Sequence, residues 1–161
     1  MRKVQNRGWI VLLAIGAVYF AACVVPNLRG AADPGMLAVF ETDEYAQYPH
    51  VIRMLTPGDG FYQSVRNFVV YLHYFYGYPF YFFSALSLLP LKLLLGADWA
   101  QRTQWIVLAL RQMIGVLPML LAAGLLARMQ GRNRPPWQSA AIFAFLLLVP
   151  AVVVNNFWWH P

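Results

Sequence analysis

The sequence predicts an all-α integral membrane protein with three transmembrane helices and outer juxtamembrane helices. Two observations lead to this prediction. First, 60% of the 161 residues are hydrophobic and only 11% are charged, which is more apolar surface than a soluble domain of this size can bury. Second, several apolar runs approach the roughly 20 residues that a helix needs to cross a bilayer core. We therefore treat residues 1–161 as a single membrane domain with the lipid bilayer as its first partner.

The net charge of +6 does not indicate a nucleic-acid partner, because the basic residues cluster near the ends of the apolar runs. Lys and Arg are enriched in the cytoplasmic segments that flank membrane spans. The basic start of the chain therefore predicts a cytoplasmic amino terminus, and a plasma-membrane location if the source is bacterial. The single cysteine, Cys23, lies in an apolar run and provides neither a disulfide partner nor the spacing of a zinc site.

The predicted spans are the three apolar runs with the fewest interruptions. Prolines and glycines after the first run predict that its helix ends there and that a long outer loop with juxtamembrane helices follows. The resulting division is span 1 at residues 9–25, the outer loop at 26–104, span 2 at 105–127 and span 3 at 137–157.

A fourth apolar run, Tyr78 to Leu95, decides the topology. The basic residues before span 1 and those at 128–134 both predict cytoplasmic segments. An even number of crossings must separate two cytoplasmic segments, so one of the three apolar runs between them should not cross. The run at 78–95 contains two prolines and Lys92, which predicts that it lies along the outer face. If it crosses, the protein has four spans.

The polar stretch from Glu41 to Arg53 is the candidate functional region. Five of the six acidic residues lie between positions 33 and 59, and carboxylates are costly in lipid, so they require water, an interface or a lined cavity. From Asp43 to Leu55 the pattern suits a short amphipathic helix interrupted early by Pro49. Such a carboxylate cluster beside apolar spans is typical of proton transfer or of a bound cation.

The order of these features resembles a known family. A first helix, a long loop with Asp43-Glu44-Tyr45, the segment Tyr76-Gly77-Tyr78-Pro79 and helices ending near His160-Pro161 resemble the start of the membrane glycosyltransferases with the C-type fold. In particular, the chain resembles the branch that includes protein mannosyltransferases and the aminoarabinose transferases of lipid A. The resemblance covers the whole chain but only about the first third of such an enzyme.

This resemblance implies transfer of a sugar from a polyprenyl-phosphate carrier to an acceptor outside the cytoplasm. An acidic residue of the first outer loop contributes to the active site of the family, which implies Asp43 or Glu44 here. A second acidic residue commonly follows the third span, and this sequence ends where that residue is expected. The resemblance therefore also implies that further membrane helices belong to the complete enzyme.

The residues suggest the same roles on chemical grounds. A carboxylate can accept the acceptor's proton, and the charge on the leaving phosphate must be neutralised by Arg, Lys or a divalent cation such as Mg or Mn. Hard cations take oxygen ligands, and aromatic rings can pack against sugars. The candidates are Asp43 and Glu44 as catalytic groups, Glu41, Asp43 and Glu44 as metal ligands, and Tyr45, Arg53, Arg111 and His160 as substrate-binding groups.

Each candidate also has a simpler interpretation. Asp43 and Glu44 can solvate a loop or cap a helix, Arg53 can extend to lipid headgroups, and a terminal His160 can be solvent-exposed. Arg111 is the sharper candidate. An ionisable residue inside an apolar run is energetically costly, so its presence there indicates a function. The alternative function is a small non-catalytic membrane subunit that packs against a larger complex. A reading frame that continues into further spans would favour the enzyme.

Overall fold

The computed structural model describes residues 2–69, 76–131 and 135–159, and side chains from residue 8 onward. Regular secondary structure within these ranges is helical throughout. The helices are α1 (Arg2–Gly30), α2 (Pro34–Phe40), α3 (Thr42–Leu55), α4 (Phe61–Val69), α5 (Tyr78–Leu95), α6 (Thr103–Leu110), α7 (Leu117–Gln130), α8 (Pro136–Leu147) and α9 (Pro150–Asn155). A 3-10 helix (Gly96–Gln101) extends α5, and a π-helical segment (Arg111–Val116) joins α6 to α7.

Three helices are long and apolar enough to cross a membrane: Gly8–Gly30, Tyr78–Gln101 and Thr103–Gln130. The first and third contain the predicted spans at 9–25 and 105–127. The second is the run that the sequence analysis placed along the outer face, and by length and composition it too fits a span. The cytoplasmic position of the amino terminus and the path of this second helix relative to the bilayer stay predictions.

The predicted third span, residues 137–157, is not one continuous helix. Helix α8 ends at Leu147 and α9 begins at Pro150. Proline lacks a backbone N–H and disfavours helical geometry in the preceding residue, and Val149 is accordingly extended at φ −59° and ψ 124°. Hydropathy alone does not register this break, and whether residues 137–157 cross the membrane stays a prediction. The 12-residue α8 is shorter than the roughly 20 residues that a span requires.

Two other prolines interrupt the chain less than the sequence suggested. Helix α1 continues through Pro26 to Gly30, and α3 continues through Pro49 to Leu55. Packed membrane helices tolerate proline when neighbouring groups satisfy the freed backbone. The first helix therefore reaches further toward the acidic stretch than predicted.

The core has two main parts. Helices α1, α7 and α8 pack around Leu12, Leu120 and Phe143, whereas α3, α5 and α6 pack around Val51, Tyr81 and Ile106. In the second part Lys92 donates a 2.5 Å hydrogen bond to the carbonyl of Leu55. Lys92, whose charge counted against α5 as a span, is thus hydrogen-bonded to the end of α3.

Helix α3 is held on both sides. The Tyr81 hydroxyl of α5 donates a 2.5 Å hydrogen bond to Gln47 Oε1, and Asn67 Nδ2 of α4 donates to the Thr56 carbonyl at 3.1 Å. Before α3, the Asp33 side chain accepts from Gly35 N at 2.8 Å and so caps α2. These contacts fix the position from which α3 presents its acidic first turn.

Candidate functional site

The first turn of α3 places two adjacent carboxylates in different surroundings. Glu44 is 2% exposed, whereas Asp43 faces outward and is exposed. Consecutive residues of an α-helix point about 100° apart, so both cannot face the interior. Glu44 shares the buried face of α3 with Val51 and Leu55, seven and eleven residues later.

Glu44 forms a buried ion pair with Arg111. Arg111 Nε donates to Glu44 Oε1 at 2.9 Å, and Arg111 Nη2 donates to Oε2 at 2.5 Å. This two-pronged geometry is the strongest form of carboxylate–guanidinium contact. Both side chains are almost wholly buried, at 3% exposure each. Arg111 thus lies in the protein interior, bonded to the first turn of α3.

The pair joins two further segments of the chain. Arg111 Nη1 donates to the Asn27 carbonyl near the end of α1 at 3.4 Å, and the backbone N–H of Trp159 donates to Glu44 Oε1. The Trp159 indole N–H in turn donates to Ser84 Oγ at 3.1 Å, and its ring stacks on Phe80 with centroids 5.1 Å apart. Glu44 therefore fixes the segment after α9 against α3 and α5.

A small cavity of about 210 Å³ lies beside this junction. We call it the acidic cavity. Three carboxylate-bearing residues and two tryptophans contribute to its wall. Its lining residues are Phe40, Glu41, Thr42, Asp43, Glu44, Trp158 and Trp159. Glu44 is paired with Arg111, and the other two carboxylates of the cavity wall are those of Glu41 and Asp43.

The two remaining carboxylates have distinct electrostatic surroundings. Burial, and next the negative charge of Glu44, raise the pKa of Glu41, while Arg111 and a hydrogen bond from the Trp158 side chain partly oppose this shift. Asp43 accepts a hydrogen bond from the Tyr76 phenol, whose pKa is raised by burial and then by the charge of Asp43. Glu41 is thus biased toward its protonated form, next to a carboxylate oriented by a phenol.

Several predicted site residues lie away from the acidic cavity. Tyr45 is partly exposed and packs edge-on against Tyr48 at 6.2 Å. Arg53 is exposed and stands ten residues after Asp43 on α3, which is about 15 Å at the helical rise. Neither residue lines the acidic cavity. His160 lies outside the described residues.

The predicted metal ligands are brought only partly together. Glu41, Asp43 and Glu44 all line the acidic cavity, but both carboxylate oxygens of Glu44 already accept hydrogen bonds from Arg111 and Trp159. Among the described ranges, groups of three or more His, Cys, Asp or Glu side chains able to hold a metal are not found. Apart from Glu44, the cavity wall thus contains two carboxylates, those of Glu41 and Asp43.

Sequence reasoning missed the two tryptophans of the cavity wall and the serine that binds one of them. Trp158 and Trp159 line the cavity and Ser84 accepts the Trp159 indole hydrogen bond, but none of the three was among the predicted site residues. The periodicity of α3 did contain a signal for Glu44, because Val51 and Leu55 place position 44 on the buried face. A glutamate on that face requires a buried cation, and Arg111 was the apolar-run arginine available.

Protein-family models give no match to this chain, and comparisons with curated proteins and with solved structures likewise give none. The assignment of a function therefore depends on the geometry described above and on the motifs of the sequence.

Proposed function

We propose that this chain is, or forms the amino-terminal part of, a membrane glycosyltransferase that moves a sugar from a polyprenyl-phosphate carrier to an acceptor on the outer side of the membrane. The observation that carries this proposal is the acidic cavity, in which Glu41 and Asp43 lie with the ring of Trp158. At about 210 Å³ it is smaller than the roughly 300–1,000 Å³ of pockets for drug-sized ligands. This size suits one sugar unit and not a whole lipid carrier.

Asp43 is the catalytic base in this proposal. It lies at the cavity wall and is exposed, so an acceptor hydroxyl can reach it. As the acceptor oxygen bonds to the anomeric carbon, the bond from that carbon to the phosphate oxygen breaks and its electron pair leaves with the carrier phosphate. The acceptor proton passes to Asp43. The hydrogen bond from Tyr76 keeps the carboxylate oriented toward this task.

Glu41 and Trp158 bind the sugar. Glu41 lines the cavity, and its carboxyl oxygens can accept hydrogen bonds from sugar hydroxyls. The Trp158 side chain is 42% exposed, so its ring is accessible to the apolar face of a sugar, as amphipathic aromatic side chains allow. The two together would orient the anomeric carbon toward Asp43.

The ion pair changes two of the roles expected from the sequence. Glu44 is bound on both oxygens and Arg111 is 2% exposed, so neither serves as base or phosphate ligand in this proposal. Both act as the scaffold of the cavity. Mg²⁺ commonly binds one or two carboxylates together with substrate phosphates, so Glu41 and Asp43 would hold a divalent cation such as Mg²⁺ or Mn²⁺, and the cation would supply positive charge to the leaving phosphate.

Substitution of Asp43 by asparagine tests the catalytic proposal. Membranes that contain the Asp43→Asn variant are incubated with a panel of polyprenyl-phosphate sugars labelled in the sugar, and transfer to acceptor is measured. We expect a loss of about two to four orders of magnitude, because a positioned general base contributes about that factor.

Asp33→Asn is the matched control for this assay. Asp33 is exposed and caps α2, and asparagine is an equally good capping residue, so this variant should transfer at the wild-type rate. Equal rates for wild type and Asp43→Asn, at equal expression, would contradict the proposal.

A second function, a non-catalytic membrane subunit, is favoured by one observation. Leu93 and Leu94 on α5 are each 83% exposed, and an apolar surface of this kind faces either lipid or another protein. A photo-crosslinking residue at position 94 in native membranes distinguishes the two. Crosslinks to one discrete protein favour the subunit, whereas crosslinks to lipid alone favour the enzyme.

A further inference from the structure

The end of α1 approaches the Glu44–Arg111 pair unusually closely. Gly30 is the last residue of α1, and Arg111 Nη1 lies 2.8 Å from the position that a Cβ atom at residue 30 would occupy. Carbon and nitrogen atoms in ordinary contact are separated by about 3.5 Å or more. Any side chain at position 30 therefore requires the guanidinium group to move.

The guanidinium group cannot move without losing its partners. Nε and Nη2 are both bonded to Glu44, and Nη1 donates to the Asn27 carbonyl from the same turn of α1. Arg111 is 2% exposed, so water does not replace a lost contact easily. An arginine on the surface would swing aside at little cost, whereas this one is held at three nitrogens.

A shift of Arg111 would be transmitted to the acidic cavity through Glu44. The carboxylate accepts from Arg111 and from the Trp159 backbone N–H at the same oxygen, Oε1. Trp159 and its neighbour Trp158 form part of the cavity wall. The position of the wall therefore depends on where Arg111 holds Glu44.

We propose that Gly30 is a positioning residue of the acidic cavity. The absence of a side chain at this position lets Arg111 reach Glu44, and Glu44 then fixes the Trp158–Trp159 wall. The consequence for sugar transfer rests on the proposed function, but the effect on the wall does not. Gly30 touches neither the cavity nor its contents, so it acts only through Arg111.

Gly115 also affects the position of the Trp158–Trp159 wall, but by direct contact with it. A Cβ atom at residue 115, in the π-helical segment, would lie 3.1 Å from the carbonyl oxygen of Trp158. This contact involves backbone, which cannot rotate away as a side chain can. Gly115→Ala should thus displace the wall directly, without passing through Arg111.

The test is a double-mutant cycle between Gly30→Ala and Arg111→Lys, read by hydrogen exchange. Lysine keeps a positive charge for Glu44 but has no Nη1 atom to collide with Cβ of residue 30. Gly30→Ala alone should speed exchange of the Trp159 amide about tenfold relative to amides of α8, a ratio that general destabilisation would leave unchanged. In the Arg111→Lys background the same substitution should have little further effect.

Two control variants complete the design. Gly8→Ala changes a glycine of the same helix whose nearest neighbour for a new Cβ is 3.9 Å away, so it should leave the Trp159 amide protected. Gly115→Ala should speed exchange equally in both backgrounds. If Gly30→Ala folds only when Arg111→Lys is also present, that rescue supports the proposal as well.

The proposal is overturned if Gly30→Ala leaves Trp159 exchange unchanged, or if its effect is the same with arginine and with lysine at position 111. If the exchange results are as expected but none of the variants alters sugar transfer, the positioning role stands and the proposed glycosyltransferase function fails. The two failures are thus distinguishable.

Discussion

Two regions of the molecule are stabilised in different ways. Around Leu12, Leu120 and Phe143, helices α1, α7 and α8 meet through apolar side chains. At the junction of α3, α5 and the π-helical segment, an ion pair and specific hydrogen bonds join residues that are 67 to 115 positions apart in sequence. Apolar packing tolerates changes of shape when volume is kept, whereas a buried charge tolerates little without its partner.

This difference separates the scaffold from the site. The apolar part can hold the helices together with many combinations of hydrophobic residues. The polar junction instead specifies one position for Trp158 and Trp159, and therefore one form of the acidic cavity. Substitutions in the two parts should differ in both size and kind of effect, and the following predictions are ordered by the expected size.

Glu44→Ala should cause the largest loss of stability. It leaves the Arg111 guanidinium buried without a partner, which typically costs about 3–5 kcal/mol. Thermal unfolding in detergent measures the effect, and Asp59→Ala provides the control because Asp59 is exposed. A loss no larger than that of Asp59→Ala would show that the ion pair is unimportant. The double variant Glu44→Leu with Arg111→Met should be more stable than Glu44→Ala, because it removes both charges.

Ser84→Ala should have an intermediate effect. Ser84 accepts the Trp159 indole hydrogen bond at 3.1 Å and is fully buried, so its loss leaves a buried donor unsatisfied at about 1–3 kcal/mol. Ser87→Ala in the same helix is the control, because Ser87 donates to the Ser84 carbonyl of its own helix. The indole nitrogen resonance of Trp159 should shift in the first variant and not in the second.

Leu120→Met should have a small effect, although Leu120 is a buried core residue. A swap between these residues keeps volume and typically costs less than about 1.5 kcal/mol. The unfolding midpoint should fall only slightly, and sugar transfer should stay at the wild-type level. A loss of stability as large as that of Glu44→Ala would remove the distinction between the apolar packing and the polar junction.

Glu41→Gln should have the smallest effect and the opposite sign at neutral pH. The pKa of Glu41 is raised by burial and by Glu44, so the folded state binds its proton more tightly than the unfolded state. Ionisation then destabilises the folded state as pH rises from the ordinary carboxyl pKa, about 4.3, through the raised value. The Gln variant should gain stability relative to wild type across that window, and unfolding measured at several pH values checks this. A difference between the two that is independent of pH would contradict the assignment.

The sequence predicted the parts of the fold that depend on composition and local pattern. The helical class, the apolar helices containing 9–25 and 105–127, and a buried Arg111 all follow from hydropathy and from the cost of charge in an apolar run. The apolar run at 137–157 did not predict the helix break before Pro150. Hydropathy sums side chains, whereas helix continuity depends on backbone hydrogen bonds.

The site was predicted only in part for a related reason. The acidic stretch was identified, and three of its carboxylates do line one cavity. Which of Asp43 and Glu44 faces inward depends on the rotation of α3, and this is set by tertiary packing of Val51 and Leu55. The contribution of Trp159 depends on a contact with Glu44 across 115 positions, which local patterns do not encode.

The π-helical segment determines how the protein would respond to the deletion of one residue. Each π-helical turn holds one residue more than an α-helical turn, so Arg111–Val116 is a place where loss of one codon could leave a regular α-helix. Because the extra residue is accommodated within the π-helical turn, such a deletion would leave α6 and α7 close to their present relative rotation. Only the side chains of Arg111–Val116 would shift against their neighbours. This stretch should therefore accept the loss of one residue with a change in the local contacts, those of Arg111 included, while the packing of α6 and α7 is kept.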